Sequence, residues 1–102
     1  RFWTQPSGIG QMEVERLDGL ICGMWSSRSI SAHNQITDIR ALIGLLGGDF
    51  LSLDADAMEI ETIVAIAMGV EDEFLTATDM KLIGQYLERM KVELGEIKQV
   101  RT

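Results

Sequence analysis

The chain has 102 residues, of which 46% are apolar, and its formal net charge is −7 at pH 7. This length fits one domain with a single core, and the apolar fraction excludes an intrinsically disordered chain. The acidic balance disfavours direct binding to nucleic acid or to an anionic membrane, because both attract basic surfaces. Leu, Ile and Met dominate the apolar set, which favours helices over strands.

The number of cysteines and the length of the uncharged runs indicate the cellular environment of the chain. The single cysteine, Cys22, cannot form an internal disulfide, so we expect a reducing, cytoplasmic environment. It lies in the apolar run LICGMW, which predicts a small buried side chain. The longest uncharged runs fall well short of the ~20 residues that cross a bilayer, so no membrane association is expected. The sequence does not begin with Met, and we expect it to be a fragment of a longer protein.

The first ten residues differ from the rest in composition. Residues 1–10 are predicted to form an irregular arm, punctuated by Pro6, and residues 11–102 a single helical domain. The arm carries two large aromatic side chains, Phe2 and Trp3. Burying such rings is favourable by about 2 kcal/mol each, so we expect them to dock on the domain.

The first helix is predicted over residues 11–25, where apolar residues recur every three or four positions. Gly19 and Gly23 weaken this helix, and their spacing of four would let a second helix approach closely. The predicted buried face consists of Val14, Leu17, Ile21 and Met24.

The second helix is predicted over residues 32–46. It should end at Gly47 and Gly48, because glycine accepts the left-handed conformation that closes many helices. Its apolar stripe consists of Ile36, Ile39, Leu42, Ile43 and Leu46. The connection that follows is expected to insert three side chains into the core, namely Phe50, Leu51 and Leu53.

The third helix is predicted from about Asp56 to Gly69. Asp56 and Glu59 have the spacing of a capping box, in which two side chains satisfy the first backbone N–H groups. A belt of apolar residues this broad predicts a central helix with neighbours on more than one side. The main face consists of Ile60, Ile63, Val64 and Ala67, widened by Met58, Ile66 and Met68.

The last helix is predicted to begin near Thr76, which forms a cap-like pair with Asp79. It contains an apolar seam with an average period of 3.5 residues. The first half of this helix should pack on the other three helices. The segment after about Met90 is expected to pack either on those helices or against a partner or a second copy of the chain. The seam, called the α4 seam below, consists of Met80, Ile83, Leu87, Met90, Leu94 and Ile97. The whole pattern predicts an all-α, compact bundle of about four helices.

Residues that carry chemistry are scarce. His33 is the only histidine and Cys22 the only cysteine, so catalytic triads and structural zinc sites lack their usual members. The acidic run from Asp54 departs from a calcium loop, because Met58 and Glu59 stand where an oxygen ligand and a glycine are needed. We therefore predict no catalytic residues, no metal site and no cofactor, and a chain that is not an enzyme.

The function predicted from these features is a non-catalytic protein-interaction or adaptor domain of a larger protein. Terminal domains of viral polymerase cofactors, which bind a protein partner, illustrate the type; size, helix content and the fragment-like start are the grounds, and no motif supports that family. The predicted partner-binding residues form the basic end of the last helix: Lys81, Arg89, Lys91, Lys98 and Arg101.

Two alternatives to a protein partner on the basic end remain. The last helix could pair two copies of the chain through Leu94 and Ile97, or the chain could be a nucleic-acid accessory protein that uses the same basic end. A further surface is also possible, because residues 41–80 contain acidic side chains and no Lys or Arg.

Overall fold

The computed structural model describes residues 9–24, 30–68 and 75–101. Four helices account for most of them: α1 (Ile9–Gly23), α2 (Ile30–Leu46), α3 (Asp54–Met68) and α4 (Ala77–Arg101). A short 3₁₀ helix, Gly48–Leu53, joins α2 to α3. These ranges contain no strand, and the prediction of an all-α bundle of about four helices is confirmed.

The helices enclose a single core. Each helix packs against its neighbours in the sequence, and α1 also packs against α4, so the arrangement closes on itself. A helix buries only the side chains that recur every three or four positions, and all four helices and the 3₁₀ helix contribute such residues. The largest fully buried side chains are Leu17, Ile21, Met24, Ile36, Ile39, Ile43, Phe50, Leu53, Ile60, Leu87, Met90 and Leu94.

The observed helix ends differ from the predicted ones by a few residues. α1 begins at Ile9, inside the predicted arm, and α2 begins at Ile30, two positions before its predicted start. The aromatic residues Phe2 and Trp3 lie outside the described residues, and so do residues 25–29 and 69–74.

The end of α2 is set by glycine, as predicted. Gly47 has φ 62° and ψ −159°, and Gly48 has φ 55°. The N–H of Gly47 donates to the carbonyl of Ile43 at 2.9 Å, which closes the last turn of the helix. Only glycine adopts the conformation of Gly47 without strain, so the chain can change direction here and enter the 3₁₀ helix.

Gly47→Ala is expected to lower the free energy of unfolding by about 1 kcal/mol, since the left-handed penalty outweighs the lost freedom of the unfolded chain. Gly44→Ala is the matched control. Gly44 lies inside α2, is exposed, and has open space where a Cβ would stand, so alanine there should stabilise by ~0.5–1 kcal/mol. Urea denaturation measures both. Shifts of the same sign would contradict this account of the turn.

The 3₁₀ helix inserts two side chains into the core. Phe50 and Leu53 are buried, whereas Leu51 is 55% exposed, so the prediction that Leu51 fills the core is wrong. The reason is geometric: in a 3₁₀ helix residues three apart lie directly above one another, so Phe50 and Leu53 share a side that Leu51 does not.

The start of α3 also differs from its prediction. The helix begins at Asp54 as a direct continuation of the 3₁₀ helix, and the N–H of Asp54 donates to the carbonyl of Leu51. A capping box at Asp56 and Glu59 is therefore wrong, because Asp56 already lies within the first turn of α3. Asp56 is instead 7% exposed and faces Arg89 of α4.

The start of α4, unlike the start of α3, has a capping box. The N–H of Asp79 donates to Oγ1 of Thr76 at 3.1 Å, and the N–H of Thr76 donates to Oδ2 of Asp79 at 3.2 Å. This reciprocal pair satisfies two backbone donors that an uncapped helix would leave to water. The cap-like pair predicted from the sequence is confirmed.

The α4 seam closes the chain's own core almost to its end. Ile83, Leu87, Met90 and Leu94 are buried, and Met80 and Ile97 are partly buried against the same cluster. Leu94 is only 1% exposed, so its side chain offers no surface to a second copy of the chain. Of the two residues suggested for pairing, only Ile97 retains some exposure.

Cys22 is exposed, so the prediction of a buried thiol is wrong. The run LICGMW is apolar over more than one turn, yet α1 buries one face only. Ile21 and Met24 lie on that face, and Cys22 follows Ile21 by about 100° around the helix axis, which turns it towards solvent.

Candidate docking surface

The basic residues of α4 do not share one face. At about 100° per residue, Arg89 and Lys91 are about 200° apart around the helix. Nη2 of Arg89 lies 3.6 Å from Oδ1 of Asp56, and its guanidinium stacks over the ring of Tyr86 at 5.9 Å from the centroid. Arg89 is therefore held against α3, on the side opposite Lys91.

The remaining predicted partner-binding residues are also dispersed. Nζ of Lys98 lies 3.3 Å from Oδ2 of Asp18, which draws it towards α1. Lys81 and Lys91 are exposed, and the side chain of Arg101 lies outside the described residues. Among the described residues, Arg89 is thus directed to α3 and Lys98 to α1, so these two do not lie in one patch.

Two contacts fix how α4 lies along the segment that includes α3. Oγ of Ser52 donates to Oε2 of Glu93, and Asp56 pairs with Arg89. From Ser52 to Asp56 the chain advances four residues, while their partners on α4 go back four residues, from Glu93 to Arg89. The two segments therefore run antiparallel. Continued in the same register, this pairing places Ile63 beside Leu82.

The side of α3 that faces away from the core carries no charged residue along its centre. We call this surface the α3 outer face; Met58 is 51% exposed and Ile66 66% exposed within it. The hydroxyl of Thr62 donates to the carbonyl of Met58 at 3.0 Å, so it is satisfied within the helix. The α3 outer face consists of Ala55, Met58, Thr62, Ala65 and Ile66, all exposed.

The sequence predicted the apolar belt of α3 but not which residues of the belt are exposed. Met58 and Ile66 were expected to widen the buried face, and that expectation is wrong because α2, α4 and the 3₁₀ helix cover only part of α3. The signal was available: Ala55, Met58, Thr62 and Ala65 are spaced three, four and three, which is a second helical seam with no charge in it.

The outward side of α4 provides the comparison within the same bundle. Its residues mix Lys, Gln and Glu around one apolar residue, Val92, which is 54% exposed; this is an ordinary solvated helix surface. The residues of this side are Lys81, Gln85, Glu88, Val92, Glu96 and Gln99. Contiguous apolar surface such as the α3 outer face is less usual and marks interaction sites in many proteins.

A half-buried ionic cluster borders the α3 outer face towards α2. Arg40 donates from Nε and Nη2 to the two carboxylate oxygens of Asp54, at 3.0 and 2.9 Å, and from Nη1 to Oε1 of Glu61 at 2.6 Å. These hydrogen bonds raise the pKa of Arg40, that to Asp54 most, so the guanidinium stays charged. One cation is shared by two anions, and the cluster retains a net negative charge.

The border towards α4 is negative as well. Glu59 is exposed and has no ion-pair partner among the residues the structure describes. The neighbouring Asp56 and Arg89 compensate each other. Arg40 and Arg89, the described basic side chains that pair with carboxylates of α3, are already used, so the Arg40 cluster on one border and Glu59 on the other leave surplus negative charge.

The described residues were also considered for metal and membrane chemistry. Among them, no three His, Cys, Asp or Glu side chains stand together as a metal site would require. None of the helices in the described ranges combines the length and continuous hydropathy of a bilayer crossing. An open cleft of about 490 Å³ lies between the 3₁₀ helix and α4, with Glu93, Glu96 and Ile97 in its lining.

No protein-family model, curated protein or solved structure matches this chain. The fold class, a four-helix bundle, and the surfaces described above are therefore the basis for any statement about function.

Proposed function

We propose that this chain is a non-catalytic protein-interaction domain and that the α3 outer face is its docking surface. The observation that supports the proposal is the set of five exposed, uncharged positions along one side of α3, whereas the outward side of α4 mixes Lys, Gln and Glu around Val92. Burying the exposed parts of Met58 and Ile66 under a partner would contribute about 1 kcal/mol or more for each side chain.

The proposed site differs from the basic end of α4 that the sequence suggested. Arg89 and Lys98 already have carboxylate partners within the chain, and Lys91 lies on another side of the helix from Arg89. A partner that used these residues would have to break ion pairs and contact different helix faces. The two alternatives receive less support for related reasons, because Leu94 is buried and the described basic residues are dispersed.

Ile66→Gln is expected to abolish capture of the natural partner while leaving the fold intact. The side chain is 66% exposed, so the free energy of unfolding should change by less than about 0.5 kcal/mol. At a docking surface the loss of a buried apolar anchor typically weakens binding at least about tenfold. The measurement is quantitative affinity capture from a native extract, with circular dichroism of each variant.

Val92→Gln is the matched control for that experiment. Val92 is an apolar residue of comparable exposure on the outward side of α4, and it does not belong to the α3 outer face. A protein retained by the original chain and by Val92→Gln, yet lost with Ile66→Gln, supports the proposal. If the two variants lose the same proteins, or neither loses any, the α3 outer face is not the docking surface.

A further inference from the structure

We infer that the partner segment recognised by the α3 outer face is a basic amphipathic helix, which lies along α3 and covers Leu82 of α4. This inference deepens the proposed function and rests on it. Three properties of the surface lead to the inference: its shape, its apolar composition and the charge along its borders.

The shape fits a helix. The α3 outer face extends from Ala55 to Ile66, a length of roughly 17 Å at 1.5 Å per residue, and it is one helix wide. Extended by seven residues from the Asp56–Arg89 pair, the antiparallel register brings Leu82, which is 39% exposed, level with Ile63 and so towards the end of α3 that carries Ile66. The apolar surface therefore continues from α3 towards α4, and a helix of about three turns would cover it lengthwise.

The composition specifies the buried side of that helix. Exposed aliphatic side chains at Met58, Ile66 and Leu82 favour partner residues that are themselves aliphatic, recurring at three- and four-residue intervals. The small side chains of Ala55 and Ala65 let the backbone of the partner approach closely between these contacts. An apolar stripe of this kind is the first requirement on the partner.

The charge along the borders predicts which charged residues flank the apolar stripe of the partner helix. On the α2 side Arg40 is outnumbered by Asp54 and Glu61, and on the α4 side Glu59 has no ion-pair partner within residues 9–24, 30–68 and 75–101. Lys or Arg residues flanking the apolar stripe of the partner would meet carboxylates on both sides, whereas Asp or Glu would meet like charge. A second copy of this chain is disfavoured for the same reason, because it would bring two acidic borders together.

The test uses two synthetic helical peptides of about 14 residues, four turns each. Both carry the same leucine stripe, and the flanking positions hold lysine in one and glutamate in the other. Fluorescence anisotropy gives the dissociation constants, and amide chemical shifts of the ¹⁵N-labelled chain locate the contact. We expect the lysine peptide to bind at least about tenfold more tightly and to shift the amides of α3 and of the Leu82 region.

Two pairs of variants test whether Ile66 and Glu59 contribute to binding of the lysine peptide. Ile66→Gln should weaken the lysine peptide about tenfold, and Val92→Gln should leave it unchanged. Glu59→Gln should weaken it about two- to fivefold, as expected for one exposed charge pair. Glu88→Gln, an exposed carboxylate on the outward side of α4, removes the same charge elsewhere and should have no effect.

The outcomes separate this inference from the proposed function. If both peptides bind equally well and both depend on Ile66, the docking surface stands and its preference for a basic partner is refuted. If the lysine peptide binds without regard to Ile66 or Glu59, or shifts amides elsewhere, or neither peptide binds, the inference fails. The extract experiment then decides the proposed function independently. Self-association through α3, detected by light scattering and lost in Ile66→Gln, would replace the basic helix by a second copy.

Discussion

Leu94→Asp is expected to unfold the domain. The leucine side chain is 1% exposed and belongs to the core that all four helices share. Replacing leucine by a smaller residue at such a site costs about 2–5 kcal/mol, and a carboxylate without a partner adds a desolvation cost of several kcal/mol. The sum is comparable to the whole stability of a small domain, about 5–15 kcal/mol. Far-UV circular dichroism and urea denaturation provide the measurement.

Val92→Asp controls for the added charge. Val92 lies two residues before Leu94 in the same helix but is 54% exposed, so its replacement should change the free energy of unfolding by no more than about 0.5 kcal/mol. The pair also decides between the two uses of the α4 seam. If Leu94→Asp remained folded and only lowered the molecular mass in solution, Leu94 would lie at an interface between copies and not in the core of one chain.

Arg40→Ala is expected to lower the free energy of unfolding by about 2 kcal/mol. Arg40 connects α2 to both Asp54 and Glu61, and hydrogen bonds to charged groups contribute about 1.5–3 kcal/mol each when well shielded. All three side chains are about one third exposed, so solvent screening reduces the total. Removing the guanidinium also leaves two carboxylates without their shared cation. Thermal and urea denaturation measure the loss.

Two comparisons show whether the effect belongs to the ionic cluster. Arg16→Ala removes an exposed arginine from α1 and should be nearly neutral. The triple variant Arg40→Ala, Asp54→Asn, Glu61→Gln removes all three charges, and it should recover part of the stability that Arg40→Ala loses. Equal losses for Arg40→Ala and Arg16→Ala would show that the cluster contributes little.

The local parts of this fold could be predicted from the sequence. The cap of Thr76 and Asp79 and the stop at Gly47 depend on residues at most four positions apart, so the pattern contains the interaction. The α4 seam was recognisable for the same reason, since its period matches the helix. The sequence indicates less clearly which of two neighbouring apolar residues enters the core. Phe50 and Leu51 point to different sides because consecutive residues of that 3₁₀ helix are about 120° apart.

The candidate site was less predictable because it depends on contacts between distant residues and on what is left uncovered. Arg40 reaches carboxylates 14 and 21 positions away, and no local pattern indicates such pairs. In α3 the pattern separated the main face of Ile60 from the widening residues such as Ile66, but it did not show that the neighbouring helices would leave Ile66 uncovered. The dispersal of Arg89 and Lys91 could have been foreseen from helix geometry, since two positions correspond to about 200°.

The anchoring of α3 has a consequence for how the chain behaves in concentrated solution. Arg40 holds the helix on one side, Asp56 and Arg89 on the other, and the hydrogen bond from Asp54 to Leu51 joins it to the 3₁₀ helix. These contacts, together with the buried face of the helix, hold α3 in the orientation that leaves Met58 and Ile66 exposed. The net charge of −7 opposes the close approach of two molecules, so we expect self-association through this apolar surface to increase when salt screens that charge.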